Sequence, residues 1–189
     1  DTKLKYGIFS FFQINIPVFE MALVDIGKFL DKNKSVVDFY SGVGSISLPL
    51  YNMYKDAVLV DSCEEAIGFA RENQTDLSRP LSGACPERSR GKGREIETTC
   101  MPAEGVTELI ESDKILIVDP PRAGLHGKVI ERILEQKPAR VIYLSCNLST
   151  QARDIKLLAE VYKVSFVKLY NFFPRTPHVE GLCVLEIKE

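Results

Sequence analysis

The chain has 189 residues, 45% of them hydrophobic, which is enough to bury one sizeable core. Its formal net charge of −2 gives no electrostatic argument for nucleic acid, and no apolar run is long enough for a membrane helix. We therefore expect a single domain over 1–189 of a soluble, cytoplasmic and monomeric protein. Because the chain lacks an initiator Met and reaches a motif-like segment almost at once, we also expect it to be a fragment.

The cysteines argue against a structural metal site or a disulfide framework. They are widely spread, odd in number and form no C-x-x-C pair, so we predict no metal ion in this chain. Each cysteine has to be judged by its own surroundings. The five are Cys63, Cys85, Cys100, Cys146 and Cys183.

Short runs rich in Val, Ile and Leu alternate with amphipathic stretches, which indicates β-α-β units around a mostly parallel sheet. The segment GIFSFFQIN is expected to be extended and to lead into the first helix. We predict helices at 17–31, 44–53, 62–75, 102–111, 127–136 and 149–160. The alternating strands are predicted at 34–40, 57–61, 95–101, 114–119 and 139–145.

The carboxyl-terminal part departs from this alternation. Residues 162–173 and 179–189 have the pattern of two consecutive strands joined by a proline-containing turn, with no helix between them. An antiparallel hairpin is therefore expected to close the sheet. The predicted class is α/β, with a Rossmann-like, mostly parallel sheet.

Residues 78–94 interrupt the pattern with a stretch rich in Ser, Gly, Pro and Arg that has no apolar period. We predict a loop inserted between a helix and the third strand. Such tracts are commonly flexible and solvated, although the five basic residues, against one acidic residue, leave an RNA-contacting arm as the alternative.

The first motif is VVDFYSGVGSISLPL, in which a strand containing Asp38 passes through Gly42 and Gly44 towards a helix. Glycines at this turn let the backbone approach a bound nucleoside closely. The spacing differs from the G-x-G-x-x-G dinucleotide fingerprint, and no phosphate-binding lysine follows. We therefore predict an S-adenosylmethionine pocket, since that cofactor has no phosphates; a tight turn without a ligand is the alternative.

Two acidic residues follow later strands on the predicted cofactor side. Asp61 ends the second strand, where a carboxylate can accept hydrogen bonds from both ribose hydroxyls. It could equally serve as the N-cap of the next helix. Glu104 is a weaker candidate for the adenine side of the pocket, because a glutamate in a first helical turn is common.

The fourth strand ends in ILIVDPPRAGL, which places Asp119 at the same edge of the sheet. Two prolines then hold the chain rigidly out of the sheet. Amino-group methyltransferases carry an aromatic residue after such a D-P-P motif, whereas this chain has Arg122, which is free to contact a phosphate or a base edge. A strand-ending turn without further function is the alternative.

The fifth strand ends in VIYLSCNLST, so Cys146 also lies at this edge, just before a helix with Asn147 or Ser149 as N-cap. Since a helix N-terminus lowers the pKa of a thiol, we predict that Cys146 is a nucleophile. Glu180, at the start of the last strand, is the favoured general base. The rival base is His178, although a single histidine in a turn is more often structural.

Together the segments FFQIN, DFYSGVGSISLPL, DPPRAGL, SCNLST and FFPRTPHVE resemble the RNA uracil-C5 methyltransferase family of the RumA/TrmA type, over nearly the whole chain. The resemblance implies the Rossmann-like fold of S-adenosylmethionine-dependent methyltransferases. It implies that Gln13 binds this cofactor together with the Asp38–Gly44 loop, Asp61 and Asp119. It also implies that Cys146 is the nucleophile and that Glu180 removes the C5 proton. The usual S-C-N-P of the family is S-C-N-L here, with Leu148 in place of proline.

The implied reaction is methylation of C5 of a uridine in tRNA or rRNA through a covalent bond between the cysteine and C6. Asp119 would complete the catalytic group, and Arg122 and Asn147 would contact the RNA. Family members usually carry an N-terminal RNA-binding barrel, which is expected to be absent from this chain. The alternatives are a cytosine-C5 methyltransferase and a non-catalytic RNA-binding domain that retains the fold.

Overall fold

A computed structural model describes residues 2–8, 10–77 and 95–188, so the predicted inserted loop at 78–94 lies outside the described residues. The helices are α1 (Ile16–Gly27), α2 (Glu64–Leu77), α3 (Gly127–Gln136) and α4 (Leu148–Leu158). The strands are β1 (Val36–Phe39), β2 (Ala57–Asp61), β3 (Ile96–Cys100), β4 (Ile115–Val118), β5 (Arg140–Ser145), β6 (Tyr162–Tyr170) and β7 (Glu180–Ile187).

These strands form one sheet in the order β3-β2-β1-β4-β5-β7-β6. The first five strands are parallel to one another, whereas β7 runs antiparallel between β5 and β6. The predicted α/β class, the mostly parallel sheet and the antiparallel hairpin at its end are therefore confirmed.

Apolar side chains cover both faces of the sheet. In β4, Ile115 and Ile117 pack into a cluster that includes Ile26 of α1, and Leu116 and Val118 pack into a second cluster with residues of α3. All four residues of β4 are buried, as expected for a central parallel strand with helices on both sides. No helix within the described ranges is long and apolar enough to cross a membrane.

Two predicted helices differ in the structure. At 44–53 the chain makes turns followed by a 3-10 helix (Leu48–Met53), because Gly44 has a positive φ and Pro49 has no N–H to donate. At 102–111 it makes two short 3-10 turns (Ala103–Gly105 and Thr107–Leu109). There Val106, with φ of −136°, leaves the helical region between the two turns.

The strand order determines where a ligand can bind. The chain turns in opposite directions from β1, to β2 on one side and to β4 on the other, which opens a crevice at the carboxyl ends of these strands. Because β7 is antiparallel to β5, its first residue lies at the same edge. The antiparallel strand therefore adds Glu180 to an edge that otherwise carries the ends of parallel strands.

Candidate active site

A cavity of about 1100 Å³ lies along this carboxyl edge. Eight of the predicted site residues line it, from the N-terminal segment, the glycine loop and the ends of five strands: Gln13, Gly42, Asp61, Glu104, Asp119, Arg122, Cys146 and Glu180. The other candidates, Asp38, Gly44, Asn147 and His178, are not among the lining residues. Sequence reasoning did not select Ser10, Phe11, Tyr40 or Arg153, which also contribute to the wall.

Both glycines of the loop after β1 have backbone conformations that favour glycine. Gly42 and Gly44 have φ values of 56° and 81°, in the left-handed region that favours glycine. A Cβ atom on Gly44 would lie 2.5 Å from Cδ1 of Leu48, whereas the nearest atom to a Cβ on Gly42 is the carbonyl oxygen of Phe11, at 4.0 Å. Gly44 therefore permits close packing beneath the loop, and Gly42 leaves open space on the cavity side.

This difference predicts unequal effects of two alanine substitutions. Gly44→Ala should lower the free energy of unfolding by about 2–4 kcal/mol, because strain at positive φ adds to the overlap with Leu48. Gly42→Ala should cost only about 1–2 kcal/mol, from the backbone strain alone. Urea denaturation of both variants measures the two values, and equal losses would contradict this account of the loop.

Asp38 supports the loop from below instead of facing the cavity. It is fully buried, and the hydroxyl of Ser47 donates a hydrogen bond to its Oδ2. Burial raises the pKa of Asp38 to about 7, although the bond from Ser47 opposes this shift. Asp38 therefore contacts Ser47, just before the 3-10 helix, and does not line the cavity.

Asp61 has features of both predicted roles. The backbone N–H of Gly42 donates to its Oδ2 at 2.8 Å, and the N–H of Cys63 donates to its Oδ1 at 2.8 Å, just before α2. The carboxylate also lines the cavity. Asp61 thus joins the glycine loop to the start of α2 and keeps acceptor capacity towards the open space.

The N-terminal segment lies against the glycine loop. Asn73 of α2 accepts a hydrogen bond from the N–H of Lys5 at 2.7 Å and donates to the carbonyl oxygens of Lys5 and Val43, at 2.9 and 3.1 Å. Gln13, further along the segment, is 4% exposed, and its Oε1 has no hydrogen-bond partner within the described residues. A buried acceptor without a partner at a cavity wall is suited to a ligand that donates.

Two carboxyl groups at the cavity wall, Asp119 and Glu180, have raised pKa values. Burial is the main cause that raises the pKa of Asp119 well above its usual value, and the charges of Glu180 and Asp38 add to it. Burial also raises the pKa of Glu180 to about 7, which Arg122 opposes. The Oε2 atom of Glu180 has no hydrogen-bond partner in the described part of the chain. Glu180 can therefore gain or lose a proton near neutral pH.

The raised pKa of Glu180 predicts a pH-dependent stability. Because about 7 lies above the usual value of 4.5, folded protein loses stability as the pH rises through that window. A glutamine at position 180 does not ionise. The free energy of unfolding of Glu180→Gln should therefore exceed that of wild type by up to about 3 kcal/mol above pH 7, and the two should be equal below pH 4.5.

Chemical denaturation at pH values below 4.5, between 4.5 and 7, and above 7 measures the difference in the free energy of unfolding between Glu180→Gln and wild type. The exposed Glu97 of β3 provides a control, since Glu97→Gln alters a solvated side chain. A stability gain for Glu180→Gln that does not change with pH would contradict the assignment.

Cys146 immediately follows β5, where Ser145 pairs with Gly181 of β7. The antiparallel register therefore brings Cys146 and Glu180 to neighbouring positions. Burial raises the pKa of the Cys146 thiol, the charges of Glu180 and Asp119 raise it further, and Arg122 opposes them. This differs from the expected lowering by the helix N-terminus, because burial and the two carboxyl groups outweigh it.

Arg122 and Asn147 connect the D-P-P loop to the start of α4. Asn147 is the N-cap, accepting from the N–H of Ser149 at 3.1 Å, and its Nδ2 donates to the carbonyl oxygen of Arg122 at 3.0 Å. His178 lies outside the cavity wall, with its Nδ1 3.4 Å from Nη2 of Arg122. No group of His, Cys, Asp and Glu in the described residues is arranged to hold a metal ion.

Comparisons with known proteins agree with this geometry. A family model described as tRNA (uracil-5-)-methyltransferase matches residues 107–188. An uncharacterized RNA methyltransferase of Mycoplasma mobile is 32% identical over 186 residues, which cover 96% of this chain and 47% of the relative. One from Bacillus anthracis is 35% identical over 191 residues, with 100% of this chain and 39% of the relative covered. The chain thus spans less than half the length of these relatives.

Solved structures show the same similarity. The tRNA (uracil-54, C5)-methyltransferase of Pyrococcus abyssi, in complex with S-adenosyl-L-homocysteine, has a TM-score of 0.74 and 31% identity, covering 94% of this chain and 40% of that one. An rRNA methylase of Streptococcus thermophilus shares the fold, with a TM-score of 0.64 and 18% identity. The match covers 90% of this chain and 96% of the methylase chain.

The sheet order and the cavity at its carboxyl edge define a Rossmann-like methyltransferase fold, and the solved structures confirm that class. The family predicted from the motifs is confirmed as well. Residues 107–188 match the tRNA (uracil-5-)-methyltransferase family model, and relatives named RNA methyltransferase are more than 30% identical over nearly the whole chain.

Proposed function

We propose that residues 1–189 form the catalytic domain of an S-adenosylmethionine-dependent enzyme that methylates C5 of a uridine in tRNA or rRNA. The observation that carries the proposal is the pairing of β5 with β7, which brings Cys146 beside Glu180 at a cavity that Asp119 also lines. A nucleophile and a base next to each other are what C5 methylation requires. A cytoplasmic location and a monomeric state stay predictions from the sequence.

The charge of the cavity wall fits S-adenosylmethionine better than a phosphate-bearing cofactor. The wall formed by the glycine loop and the ends of β2 and β3 carries Asp61 and Glu104, and no Lys or Arg among its described residues. The arginines of the cavity, Arg122 and Arg153, come from the D-P-P loop and α4. A cofactor with a sulfonium and an ammonium group is favoured by carboxylates, whereas a pyrophosphate would be repelled.

Polar atoms at the same wall are available for such a cofactor. Oε1 of Gln13 and Oγ of Ser41 are buried and have no hydrogen-bond partner in the described ranges. Both residues line the cavity beside Gly42, where a side chain is absent. Gln13, Ser41 and Asp61 would therefore hold the cofactor, and the bound cofactor would supply an electrophilic methyl group.

The chain's own residues account for the remaining chemistry. C5 of uracil is a weak nucleophile, so the Cys146 thiolate first adds to C6, forming an S–C6 bond and moving an electron pair into the ring as an enolate. C5 can then form a bond to the methyl group, whose bond to the sulfonium breaks. Glu180 takes the C5 proton, the enolate re-forms, and the S–C6 bond breaks to release the Cys146 thiolate.

Asp119 and Arg122 have complementary roles in this scheme. Burial raises the pKa of Asp119, which favours its protonated form, and a protonated Asp119 can donate a hydrogen bond to the uracil ring. Arg122 opposes the shifts that disfavour the charged forms of Cys146 and Glu180. The target uridine has to leave its stack to reach these groups.

A 5-fluorouridine substrate provides the test. After adduct formation and methylation, C5 carries fluorine in place of a proton, so Glu180 has nothing to remove and the covalent complex should persist on a denaturing gel. We expect this complex only when S-adenosylmethionine is present. A complex formed with 5-fluorocytidine RNA and not with 5-fluorouridine RNA would indicate the cytosine alternative. Failure to bind S-adenosylmethionine in calorimetry would indicate a non-catalytic domain.

A further inference from the structure

The first turns of α4 contact each segment that carries a proposed catalytic group. We propose that Gln151 and Asp154 are positioning residues, which hold the nucleophile, the base and the D-P-P loop in one geometry. This inference rests on the proposed function, because it assigns these residues a role in presenting Cys146 and Glu180. Neither residue lines the cavity, so each would act through the segments it holds.

Gln151 joins the two strands that carry the nucleophile and the base. Its side chain is buried, and Nε2 donates to the carbonyl oxygen of Tyr143 in β5 at 3.0 Å and to that of Gly181 in β7 at 2.8 Å. Gly181 directly follows Glu180, and Tyr143 lies in the last part of β5 before Cys146. One amide group thus bridges the strands where they reach the cavity.

Close packing at Gly181 sets the distance between α4 and these two strands. A Cβ atom on Gly181 would lie 2.5 Å from Cδ2 of Leu148 and 2.6 Å from Oε1 of Gln151. The absence of a side chain at Gly181 therefore lets the amide of Gln151 reach both carbonyl oxygens. The geometry of the bridge depends on this contact as well as on the hydrogen bonds.

Asp154 holds the D-P-P loop from the same face of α4. Its carboxylate is fully buried, and Oδ2 accepts hydrogen bonds from the N–H of Leu125 and the hydroxyl of Tyr143, each at 2.8 Å. Arg153 pairs with Oδ1 and donates to the carbonyl oxygen of Ala123 at 2.8 Å. The loop that carries Asp119 and Arg122 is thereby tied to the helix that begins beside Cys146.

These bonds predict a selective defect. Loss of the Gln151 bridge lets Glu180 and Cys146 shift relative to each other, while the cofactor wall around Gly42 and Asp61 has no contact with Gln151 in the hydrogen bonds described. Misplacement of a reacting group by about 1 Å can lower a rate by about 100-fold. The rate of methyl transfer should therefore fall without a change in cofactor affinity.

The test compares Gln151→Met with Gln74→Leu in the 1–189 chain. Gln74 donates to the carbonyl oxygen of Ile96 at 2.6 Å, at the beginning of β3 and away from the carboxyl edge, so it is a matched control for a lost amide-to-strand bond. Single-turnover methyl transfer to RNA, cofactor affinity by calorimetry and thermal stability are measured for both. We expect Gln151→Met to lower the rate about 10- to 100-fold with unchanged cofactor affinity. Gln74→Leu should lower stability alone.

A rate for Gln151→Met within twofold of wild type would overturn the inference, and so would equal loss of rate in both variants. If Gln151→Met does not fold, Asp154→Asn provides a second comparison, because it keeps one oxygen acceptor but loses the charge that pairs with Arg153. A wild-type rate in that variant would count against the positioning role of Asp154. The wild-type chain with 5-fluorouridine RNA separates the two proposals. If it forms no complex, the proposed function fails, whereas a complex together with normal rates in the variants removes only the positioning role.

Discussion

Replacement of Cys146 by alanine is expected to abolish methyl transfer, with a loss of about four orders of magnitude or more. Without the thiol, no S–C6 bond forms, and C5 of the uracil ring is too weak a nucleophile to accept the methyl group. Cofactor affinity should be unchanged, because the wall around Gln13, Gly42 and Asp61 comes from other segments.

Transfer of a radioactive methyl group to RNA and calorimetry with S-adenosylmethionine measure the two quantities for Cys146→Ala. Cys100→Ala is the matched control, since Cys100 ends β3 and does not line the cavity. It should retain both activity and cofactor binding. Undiminished methylation by Cys146→Ala would refute the nucleophile assignment.

Glu180→Gln is expected to stop the reaction one step later. The thiolate can still add and C5 can still be methylated, but the C5 proton has no base to accept it, so the S–C6 bond cannot break. Turnover should fall by about 100- to 10,000-fold, the range typical of a lost general base. A covalent complex with ordinary uridine RNA should accumulate in its place.

Denaturing gels of Glu180→Gln with RNA and cofactor reveal that complex, and the wild-type chain should show little of it. Glu186→Gln is a suitable control on the same strand, because Glu186 pairs with Arg140 at the opposite end of β7. Loss of turnover without a complex would mean that Glu180 acts before methyl transfer. Retained turnover would direct attention to His178, which lies next to Arg122.

The fold was predictable where burial imposes a pattern. Fully buried strands such as β4 appear as continuous apolar runs, and the polar residue that follows each run marks the carboxyl edge. This is why Asp119 and Cys146 could be chosen from the sequence. The prediction of helices at 44–53 and 102–111 was wrong. An amphipathic pattern does not reveal that the backbone leaves the helical conformation at Gly44 or at Val106.

The electrostatics of the site depended on contacts that no sequence pattern contains. The helix start after Cys146 was visible, but the burial and the neighbouring carboxyl groups that raise its pKa required the pairing of β5 with β7. Asp38 follows the motif of a cofactor-binding strand, yet it turns beneath the loop to accept from Ser47. Gln151 and Asp154 had no sequence signal, because the strands and the loop that they join are distant in the sequence.

The antiparallel position of β7 has a consequence for how this domain can diversify. Side chains alternate between the faces of a strand, so one extra residue within 180–187 would turn Glu180 away from Cys146. Residues added to the turn before Glu180 would change the segment that carries His178, which lies next to Arg122 of the cavity wall, and would leave the strand pairing intact. Relatives that act on different RNAs should therefore vary in length at 171–179 and keep the length of the strand that follows.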